Sequence, residues 1–244
     1  MVENWFVEDV AATYDEESAD RFDPAVLDAT VDFLAGLAGD GRALELAIGT
    51  GRVAVPLARR GVPVAGIELS PAMVARLRAK PGGSDLEVVE GDMSRARVDG
   101  DFSLVYLVYN TIANLTSQDA QVACFENAAR HLAPGGCFVV ELYVPALQRI
   151  RPGERFLVFA EEPGYHGFDE YDVATQAQWS HHLHLRDDGT YRRNSLPFRY
   201  AWPAELDLMA RIAGLRLRER WADWDRMPYT AESEQHVSVW EKPA

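Results

Sequence analysis

Cysteine and long hydrophobic runs are both scarce in this sequence of 244 residues. Its two cysteines, Cys124 and Cys137, are too few for a disulfide framework or a cysteine-rich metal cluster, so we expect no bound metal. No uncharged run is long enough to cross a membrane. Residues Met1 to Trp5 also lack the basic and apolar regions of a secretory signal. These absences predict a cytoplasmic protein that does not bind membranes.

Basic residues are outnumbered, because 24 Lys and Arg stand against 38 Asp and Glu, for a net charge of −14. Such a charge repels phosphate backbones and anionic lipids, so neither nucleic acids nor membranes are expected partners. Residues 1–40 contain eleven of the acids and a single base, Arg21. A solvated helical face explains this asymmetry. An acidic flap that meets a cationic ligand is the alternative.

Short apolar runs alternate with helical patterns in the first 143 residues. Asp23-Pro24 and Ser70-Pro71 are typical of helix starts. The apolar runs between the helices are residues 42–48, 62–67, 86–89, 102–108 and 137–143. Strands that are apolar on both faces and alternate with helices predict a parallel sheet covered by helices on both sides.

The pattern changes in the second half of the chain. Asp187-Asp188-Gly189 separates the strand-like segments Trp179–Leu185 and Tyr191–Trp202, which predicts an inserted antiparallel β-hairpin. The two closing strands, Leu215–Trp221 and His236–Trp240, are joined by about fourteen residues without a helical pattern. Because no crossover helix separates them, we expect this pair to be antiparallel.

A turn containing two glycines follows the first predicted strand. Glu45 precedes Ala47, Gly49 and Gly51, which stand at alternate positions. Glycines at such a turn let the backbone approach a ligand closely, where any Cβ would obstruct it. Ala47 is compatible with this turn if its φ is negative, and that is the conformation we expect.

Two carboxylates follow the next two predicted strands. Glu68, 17 positions after Gly51, ends the second strand, where a carboxylate can accept from both hydroxyls of a ribose. Asp92, within Gly91-Asp92-Met93, ends the third strand, where it can accept from an adenine amino group. Because parallel strands end at the same edge of a sheet, residues of three strands are predicted to meet at one nucleoside-binding rim.

In order along the chain, these motifs resemble those of class I S-adenosylmethionine-dependent methyltransferases. The resemblance covers about residues 40–145. It rests on Leu44–Arg52, Gly66–Pro71, Glu90–Met93 and Leu132–Gly136. The inserted hairpin and the helix start at Trp202–Glu205 resemble the cover of small-molecule members, such as those that methylate amino sugars of antibiotics. Ala47 is a departure, since the family often has glycine there.

The resemblance implies a Rossmann-like α/β fold. Its seven-stranded mixed sheet has an antiparallel last strand and helices on both faces, and an inserted antiparallel β-hairpin covers the active site. We expect a single domain in four segments: an N-terminal helical lid (1–40), a cofactor-binding core (41–143), an inserted substrate cover (144–202), and a closing helix with antiparallel strands (203–244).

S-adenosylmethionine is the implied cofactor, with S-adenosylhomocysteine as its product. The implied acceptor is a small molecule, methylated at an amine or hydroxyl of a secondary metabolite, and a homodimer is an open alternative for the assembly. By resemblance, Glu45, Gly49 and Gly51 flank the methionine part, Glu68 the ribose, and Asp92 with Met93 the adenine. The expected cofactor-binding set also includes Ala47, Leu69, Met73, Gly91 and Tyr109.

Four residues are candidates for the catalytic step. Tyr14 lies in the acidic segment, where family members often place a tyrosine near the methyl group, and an ordinary helix-face tyrosine is the alternative. Tyr109 ends the fourth strand, opposite the expected methyl position. His181 and His182 lie in the predicted hairpin together with His184, where one imidazole could act as general base at neutral pH. A surface position is the alternative for each histidine.

Two other functions fit part of the pattern. Gly49 to Ala54 also matches G-x-G-x-x-G/A, and Glu68 suits a nicotinamide cofactor's ribose, so an NAD(P)-dependent oxidoreductase is one alternative. A dinucleotide fold needs a second βαβ half, however, whereas the closing strands are expected to be antiparallel. A cofactor-binding regulator without catalysis is the other alternative. The methyltransferase hypothesis is favoured over both.

Overall fold

Helices and strands alternate along the chain in a computed structural model that describes residues 4–6, 8–17 and 23–244. The helices are α1 (Glu8–Glu17), α2 (Pro24–Ala38), α3 (Ala54–Arg59), α4 (Pro71–Ala79), α5 (Gln118–His131) and α6 (Pro203–Ile212). The strands are β1 (Ala43–Leu46), β2 (Val64–Glu68), β3 (Glu87–Glu90), β4 (Phe102–Leu107), β5 (Leu132–Tyr143), β6 (Phe156–Glu162), β7 (Tyr165–Asp172), β8 (Ala177–Leu185), β9 (Tyr191–Arg199), β10 (Arg216–Trp221) and β11 (Gln235–Glu241). No helix in these ranges is both long and apolar enough to cross a bilayer.

Side-chain caps explain where three of the helices begin. Asp23, Ser70 and Ser117 each accept a hydrogen bond from a backbone N–H in the first turn of α2, α4 and α5 respectively. Pro24 and Pro71 occupy the first turn, where the missing N–H removes no intrahelical hydrogen bond. The capping residues therefore set the points at which the chain leaves the sheet and turns into a helix.

Seven strands form one mixed sheet in the order β10-β11-β5-β4-β1-β2-β3. Pairing is parallel from β5 through β4, β1 and β2 to β3. The last strand, β11, runs antiparallel to both of its neighbours, β5 and β10. This arrangement confirms the predicted fold class and the antiparallel closing pair. It also brings the carboxyl ends of β1 to β4 to a single edge.

Two apolar cores flank this sheet. On one face, Phe125 of α5 packs edge-on against Phe138 of β5 and Trp240 of β11, with ring centroids 5.0 and 5.3 Å away. On the other face, Phe33 of α2 and Leu57 of α3 are buried in a second cluster. Helices thus cover both faces, as expected for strands that are apolar on both sides.

The inserted segment forms a four-stranded antiparallel sheet, β6-β7-β8-β9, which we call the cover sheet. The predicted hairpin is confirmed as β8 and β9, but β6 and β7 extend it and were not predicted. In β6 the pairing register shifts between Val158 and Ala160, which breaks the alternation that identifies a strand. In β7 the run His166 to Glu170 mixes glycine and charged residues, which are poor strand formers.

A buried polar network joins the cover sheet to the rest of the molecule. The guanidinium of Arg199, at the end of β9, donates to Gln121 of α5 (2.6 Å), to Gln176 (2.8 Å) and to the carboxylate of Glu205 in α6 (2.7 Å). Arg199 is only 5% exposed, so the charge is compensated by the ion pair with Glu205. This network anchors one end of the cover sheet to α5 and α6.

Candidate functional site

The carboxyl edge of the parallel strands carries most of the predicted site residues. After β1, Ala47, Gly49 and Gly51 have positive φ angles of 56°, 56° and 77°. The expectation of a negative φ at Ala47 is therefore wrong. Ala47 has the same left-handed conformation as Gly49 and Gly51, which follow at alternate positions of the turn. A residue with a Cβ pays about 1–2 kcal/mol for this conformation.

Gly51 is favoured by its backbone angle and by close packing. A Cβ at this position would lie 2.2 Å from Cδ1 of Leu77 in α4, so the Leu77 side chain would have to shift to admit it. The absence of a side chain thus lets α4 pack directly against the turn. The glycine turn and α4 are positioned together, and Glu68 and Leu69 lie between them in the sequence.

Glu68 binds the backbone of the glycine turn. Its Oε2 accepts from the N–H of Gly49 and its Oε1 from the N–H of Ser70, both at 2.8 Å. Burial raises the pKa of this carboxyl, while the same backbone N–H groups act to lower it. Each oxygen retains a second lone pair, so the carboxylate can still accept from a ligand. Glu68 ties the end of β2 to the turn after β1.

A small cavity opens beside this turn. Four of the predicted cofactor-binding residues line it: Ala47, Leu69, Asp92 and Met93. The remaining lining residues are Asn4, Trp5, Phe6, Thr111, Asn114 and Leu115. Oδ1 of Asp92 accepts from both the N–H and the hydroxyl of Ser94 at 2.8 Å, which fixes its orientation. Met73, by contrast, is 2% exposed in α4 and does not belong to this lining.

Glu45 lies beneath the turn rather than on the cavity wall. It is 3% exposed, and its Oε2 accepts from the hydroxyl of Tyr106 at 2.9 Å. Burial raises the pKa of Glu45 to about 8, although the Tyr106 hydrogen bond and the charge of Arg52 act to lower it. A carboxyl group in this state is largely protonated at neutral pH.

The two candidate tyrosines come together at this edge. Burial and the neighbouring Tyr109 raise the pKa of Tyr14, in α1, to about 12. The guanidinium of Arg52 lies over the Tyr109 ring, 5.6 Å from its centroid. Arg52 was missed by sequence reasoning, although a cation that directly follows Gly51 is a signal for it. The Tyr14–Tyr109–Arg52 group is an aromatic and cationic cluster next to the glycine turn.

Helix α1 is attached to the edge through the carboxylate of Asp15. Asp15 accepts from the hydroxyl of Thr50 in the glycine turn at 2.6 Å and pairs with Lys80 at 2.6 Å. The hydroxyl of Ser70 donates to the carbonyl of Phe6. Part of the predicted lid thus contacts the rim directly. Arg21, the single base of the acidic segment, lies outside the described residues.

The two candidate histidines lie in the cover sheet on opposite faces of β8. Nδ1 of His181 is 2.8 Å from the hydroxyl of Ser195 and 3.0 Å from a guanidinium nitrogen of Arg193, which can only donate. His182 contacts the hydroxyl of Tyr165 through Nδ1 (2.8 Å). The catalytic role of both histidines stays a prediction.

Possible metal ligands do not cluster in the described ranges: no three His, Cys, Asp or Glu side chains lie close enough to hold an ion.

Glu141 of β5 is a second polar residue that the sequence analysis missed. It is 9% exposed and accepts from the backbone N–H of Tyr109 at 2.7 Å. A charged residue inside the apolar run 137–143 is the signal that could have identified it.

The chain is similar to methyltransferases over most of its length. Residues 43–136 match the family model of a methyltransferase domain. A cypemycin N-terminal methyltransferase from a Streptomyces species is 30% identical over 211 residues, which cover 83% of this chain and 84% of that protein. A dTDP-3-amino-3,4,6-trideoxy-alpha-D-glucopyranose N,N-dimethyltransferase from Streptomyces venezuelae is 32% identical over 98 residues, or 40% of each chain.

A solved structure extends the similarity to the whole chain. The CcbJ methyltransferase from Streptomyces caelestis is 37% identical, has a TM-score of 0.87 and is matched over 99% of both chains, so the similarity includes the cover sheet. None of these relatives supports the oxidoreductase alternative. The chain belongs to the S-adenosylmethionine-dependent methyltransferases.

Proposed function

We propose that this protein methylates an amine nitrogen of a small molecule, of the kind found in secondary metabolites. The observation that carries this choice is that two relatives are named for methylating amines, one at a peptide N-terminus and one on an amino sugar. In addition, burial and the neighbouring Tyr109 raise the pKa of Tyr14 to about 12. A phenol with this pKa stays protonated at neutral pH, so it can orient an acceptor but cannot remove its proton. An amine can lose its proton to water before it attacks, whereas a hydroxyl acceptor depends on a general base.

The contacts of the histidines support the same proposal. Nδ1 of His181 already accepts from Arg193, and the side chain is 3% exposed. Both ring nitrogens of His182 have polar neighbours, the hydroxyls of Tyr165 and Ser180 at 2.8 and 3.3 Å. Nε2 of His181 has no hydrogen-bond partner among the described residues but is buried, so neither imidazole presents an unpartnered, exposed nitrogen to a hydroxyl acceptor.

The residues at the carboxyl edge fit S-adenosylmethionine. We assign the glycine turn to the methionine part, Glu68 to the ribose hydroxyls, and the cavity wall formed by Asp92 and Met93, with Leu69, to the adenine. When bound, the cofactor supplies a methyl group that its sulfonium already activates. The protein's own residues then align the acceptor and exclude water, and alignment of two reactants can lower a barrier by about 7–11 kcal/mol.

Helix α1 and residues 4–6 are assigned the role of a lid. Phe6 packs edge-on against Tyr14 with ring centroids 6.1 Å apart, and Trp5 contacts Trp179 of the cover sheet at 6.5 Å. The lid therefore lies between the rim and the cover sheet, where it can shield the reacting groups from water. Because the methyl donor is an intracellular metabolite, the proposal places the reaction in the cytoplasm.

The names of two relatives also favour nitrogen over oxygen. One is an N-terminal methyltransferase and the other an N,N-dimethyltransferase of an amino sugar nucleotide. Both descriptions concern amine acceptors. They support a nitrogen acceptor for this chain and leave the acceptor's scaffold to experiment.

Matched acceptor pairs test the proposal. Each pair consists of an amino sugar, or a peptide with a free N-terminus, and the analogue in which a hydroxyl replaces the amine. We expect labelled methyl from S-adenosylmethionine to appear on nitrogen in the amine member and not in its hydroxyl partner. Label on the oxygen of the hydroxyl analogue at a similar rate would contradict the assignment.

The Tyr14→Phe variant separates orientation from proton removal. If the phenol only orients the acceptor, kcat falls while the pH dependence of kcat/KM keeps its shape. If Tyr14→Phe loses the limb along which kcat/KM of the wild type rises with pH, Tyr14 is instead the general base, and a hydroxyl acceptor is favoured.

A further inference from the structure

Two consecutive residues at the end of β4 have left-handed backbone conformations. Tyr109 has a φ of 55° and Asn110 a φ of 60°, and neither is glycine. A residue with a Cβ pays about 1–2 kcal/mol for this conformation, with asparagine the most tolerant. Such a pair persists only when its surroundings hold it, and strained backbone of this kind is concentrated at functional sites.

The residue that holds the pair is Glu141, on the neighbouring strand β5. Its Oε2 accepts from the N–H of Tyr109 at 2.7 Å, and its backbone carbonyl accepts from the N–H of Asn110 at 3.2 Å. The side-chain oxygen of Asn110 accepts in turn from the N–H of Tyr143 at 2.7 Å. Three hydrogen bonds therefore fasten the left-handed pair to the end of β5.

The second carboxylate oxygen of Glu141 is also occupied. Oε1 accepts from the indole Nε1–H of Trp224 at 3.0 Å. Trp224 is 7% exposed, and its ring packs edge-on against Phe33 of α2 with centroids 5.4 Å apart. The carboxylate thus lies between two N–H donors, one from the Tyr109 backbone and one from the loop between β10 and β11. Only a side chain with two acceptor oxygens satisfies both donors.

We infer that Glu141 is a positioning residue for methyl transfer, which holds Tyr109 in the left-handed conformation that places its ring beneath the Arg52 guanidinium, next to the glycine turn. The inference rests on the proposed function, in which Tyr109 lies beside the reacting groups. Glu141 itself is covered by Trp224 and by the Tyr109 backbone, so it acts through Tyr109. The strain at Tyr109 and Asn110 is offset by the three hydrogen bonds.

The test compares Glu141→Gln, Trp224→Phe and the double variant. Glutamine has one acceptor oxygen, so its amide N–H₂ must face one of the two donors in Glu141→Gln, and we expect kcat to fall by about tenfold or more. In Glu141→Gln with Trp224→Phe, the indole donor is gone. The amide group can then turn toward the vacated position and the carbonyl can accept from Tyr109. We expect kcat to recover to nearly the value of Trp224→Phe alone.

Rescue by a second substitution distinguishes positioning from packing. If Glu141 only supported the local packing, Trp224→Phe would not restore activity to Glu141→Gln, and the double variant would be no more active than Glu141→Gln alone. Trp221→Phe is the matched control, since the Trp221 indole N–H in the same region has no hydrogen-bond partner among the described residues. We expect this control to keep the wild-type kcat. Additive losses, or a fully active Glu141→Gln variant, overturn the inference.

Amide hydrogen exchange provides a readout that does not depend on turnover. We expect the N–H groups of Tyr109 and Asn110 to lose protection in Glu141→Gln and to regain it in the double variant. If protection in Glu141→Gln equals that of the wild type, the role of Glu141 is overturned even when the enzyme is active. If exchange behaves as expected but the wild type methylates no acceptor, the proposed function is overturned and the positioning role with it.

Discussion

The parallel half of the main sheet and the cover sheet use buried polar groups in opposite ways. At the carboxyl edge of the parallel strands, Glu68 and Glu141 accept from backbone N–H groups of the turns that shape the site, and Glu45 accepts from the Tyr106 hydroxyl in β4. In the cover sheet, Arg199 and His181 are buried, and Arg199 fastens the sheet to α5 and α6. The three glutamates shape the site, whereas Arg199 attaches the cover sheet to the rest of the molecule.

This difference predicts which properties respond to substitution. Changes in the cover anchor should alter stability and leave cofactor affinity intact, because Arg199 donates to residues of α5, α6 and the turn before β8. Changes at the carboxyl edge should alter cofactor affinity, the pH dependence of stability, or the backbone strain in the glycine turn. Their effects on the free energy of unfolding should be smaller. Four substitutions, taken from the largest expected effect to the smallest, test this contrast.

Arg199→Met should reduce the free energy of unfolding by about 3–5 kcal/mol, because it leaves the carboxylate of Glu205 without its buried partner. Denaturant unfolding measures this loss, and calorimetry should find the affinity for S-adenosylhomocysteine unchanged. The control is Arg155→Met, which removes an exposed ion pair with Glu170 and should cost less than about 1 kcal/mol. Equal losses in the two variants would show that the Arg199 network stabilises the fold no more than an exposed ion pair does.

Glu68→Ala should weaken cofactor binding by about 1–3 kcal/mol, since the N–H groups of Gly49 and Ser70 lose their acceptor together with the ribose. Titration calorimetry with S-adenosylhomocysteine measures the change. Glu90→Ala is the matched control, because Glu90 stands opposite Glu68 in the register at the end of β3 and is exposed. An affinity that is unchanged in Glu68→Ala would show that the ribose binds elsewhere.

Glu45→Gln should remove a pH dependence of stability. The folded pKa of Glu45, about 8, lies above the ordinary value of 4.5, so between these values the folded state holds a proton that the unfolded state has lost. Stability of the wild type therefore falls as pH rises, by about 1 kcal/mol per unit between pH 6 and 8 from this group. Above pH 8 the contribution levels off.

Urea unfolding of the cofactor-free protein at several pH values checks this prediction. The difference in stability between Glu45→Gln and the wild type should grow from pH 6 to 8. Tyr106→Phe sharpens the test, because removing the hydroxyl that donates to Glu45 should raise the pKa further and extend the decline to higher pH. Parallel stability curves for the wild type and Glu45→Gln would be inconsistent with a buried, protonated carboxyl.

Ala47→Gly should stabilise the protein by about 0.5–1 kcal/mol. The φ of 56° at Ala47 disfavours a Cβ by more than glycine loses in backbone entropy. Thermal or urea unfolding measures the gain. Ala43→Gly, in β1 of the same segment, is the control and should instead destabilise, because Ala43 is fully buried in a strand. A loss of stability in Ala47→Gly would mean that its methyl group makes contacts that outweigh the strain.

The fold was predictable wherever local signals and packing agreed. Asp23 and Ser70 cap the helices that the sequence predicts, and the apolar runs became the strands of the parallel sheet. In β6 and β7 the two kinds of signal disagree. The register shift at Val158 and the charged residues of β7 hide both strands. They form because β8 offers unpaired backbone groups to β7, and β7 in turn offers them to β6.

The site was predictable in part. Ala47, Leu69, Asp92 and Met93 meet at one cavity because they follow strands that end at one edge, which the order of the motifs already implied. Arg52 and Glu141 were missed, since each acts through a contact with Tyr109 that depends on the neighbouring strand or turn. The left-handed φ of Ala47 was missed because alanine itself favours the opposite sign.

The sequence alone determined the alternation of strands and helices, the glycine turn and the identity of the methyltransferase family, because these depend on local patterns of residues that follow one another in the chain. Only the tertiary structure decided that Glu141 holds Tyr109, that Arg199 anchors a four-stranded cover, and that burial changes the protonation of Glu45 and Tyr14. Hydrogen bonds and desolvation across distant segments arise when the chain closes on itself, and no local pattern encodes them.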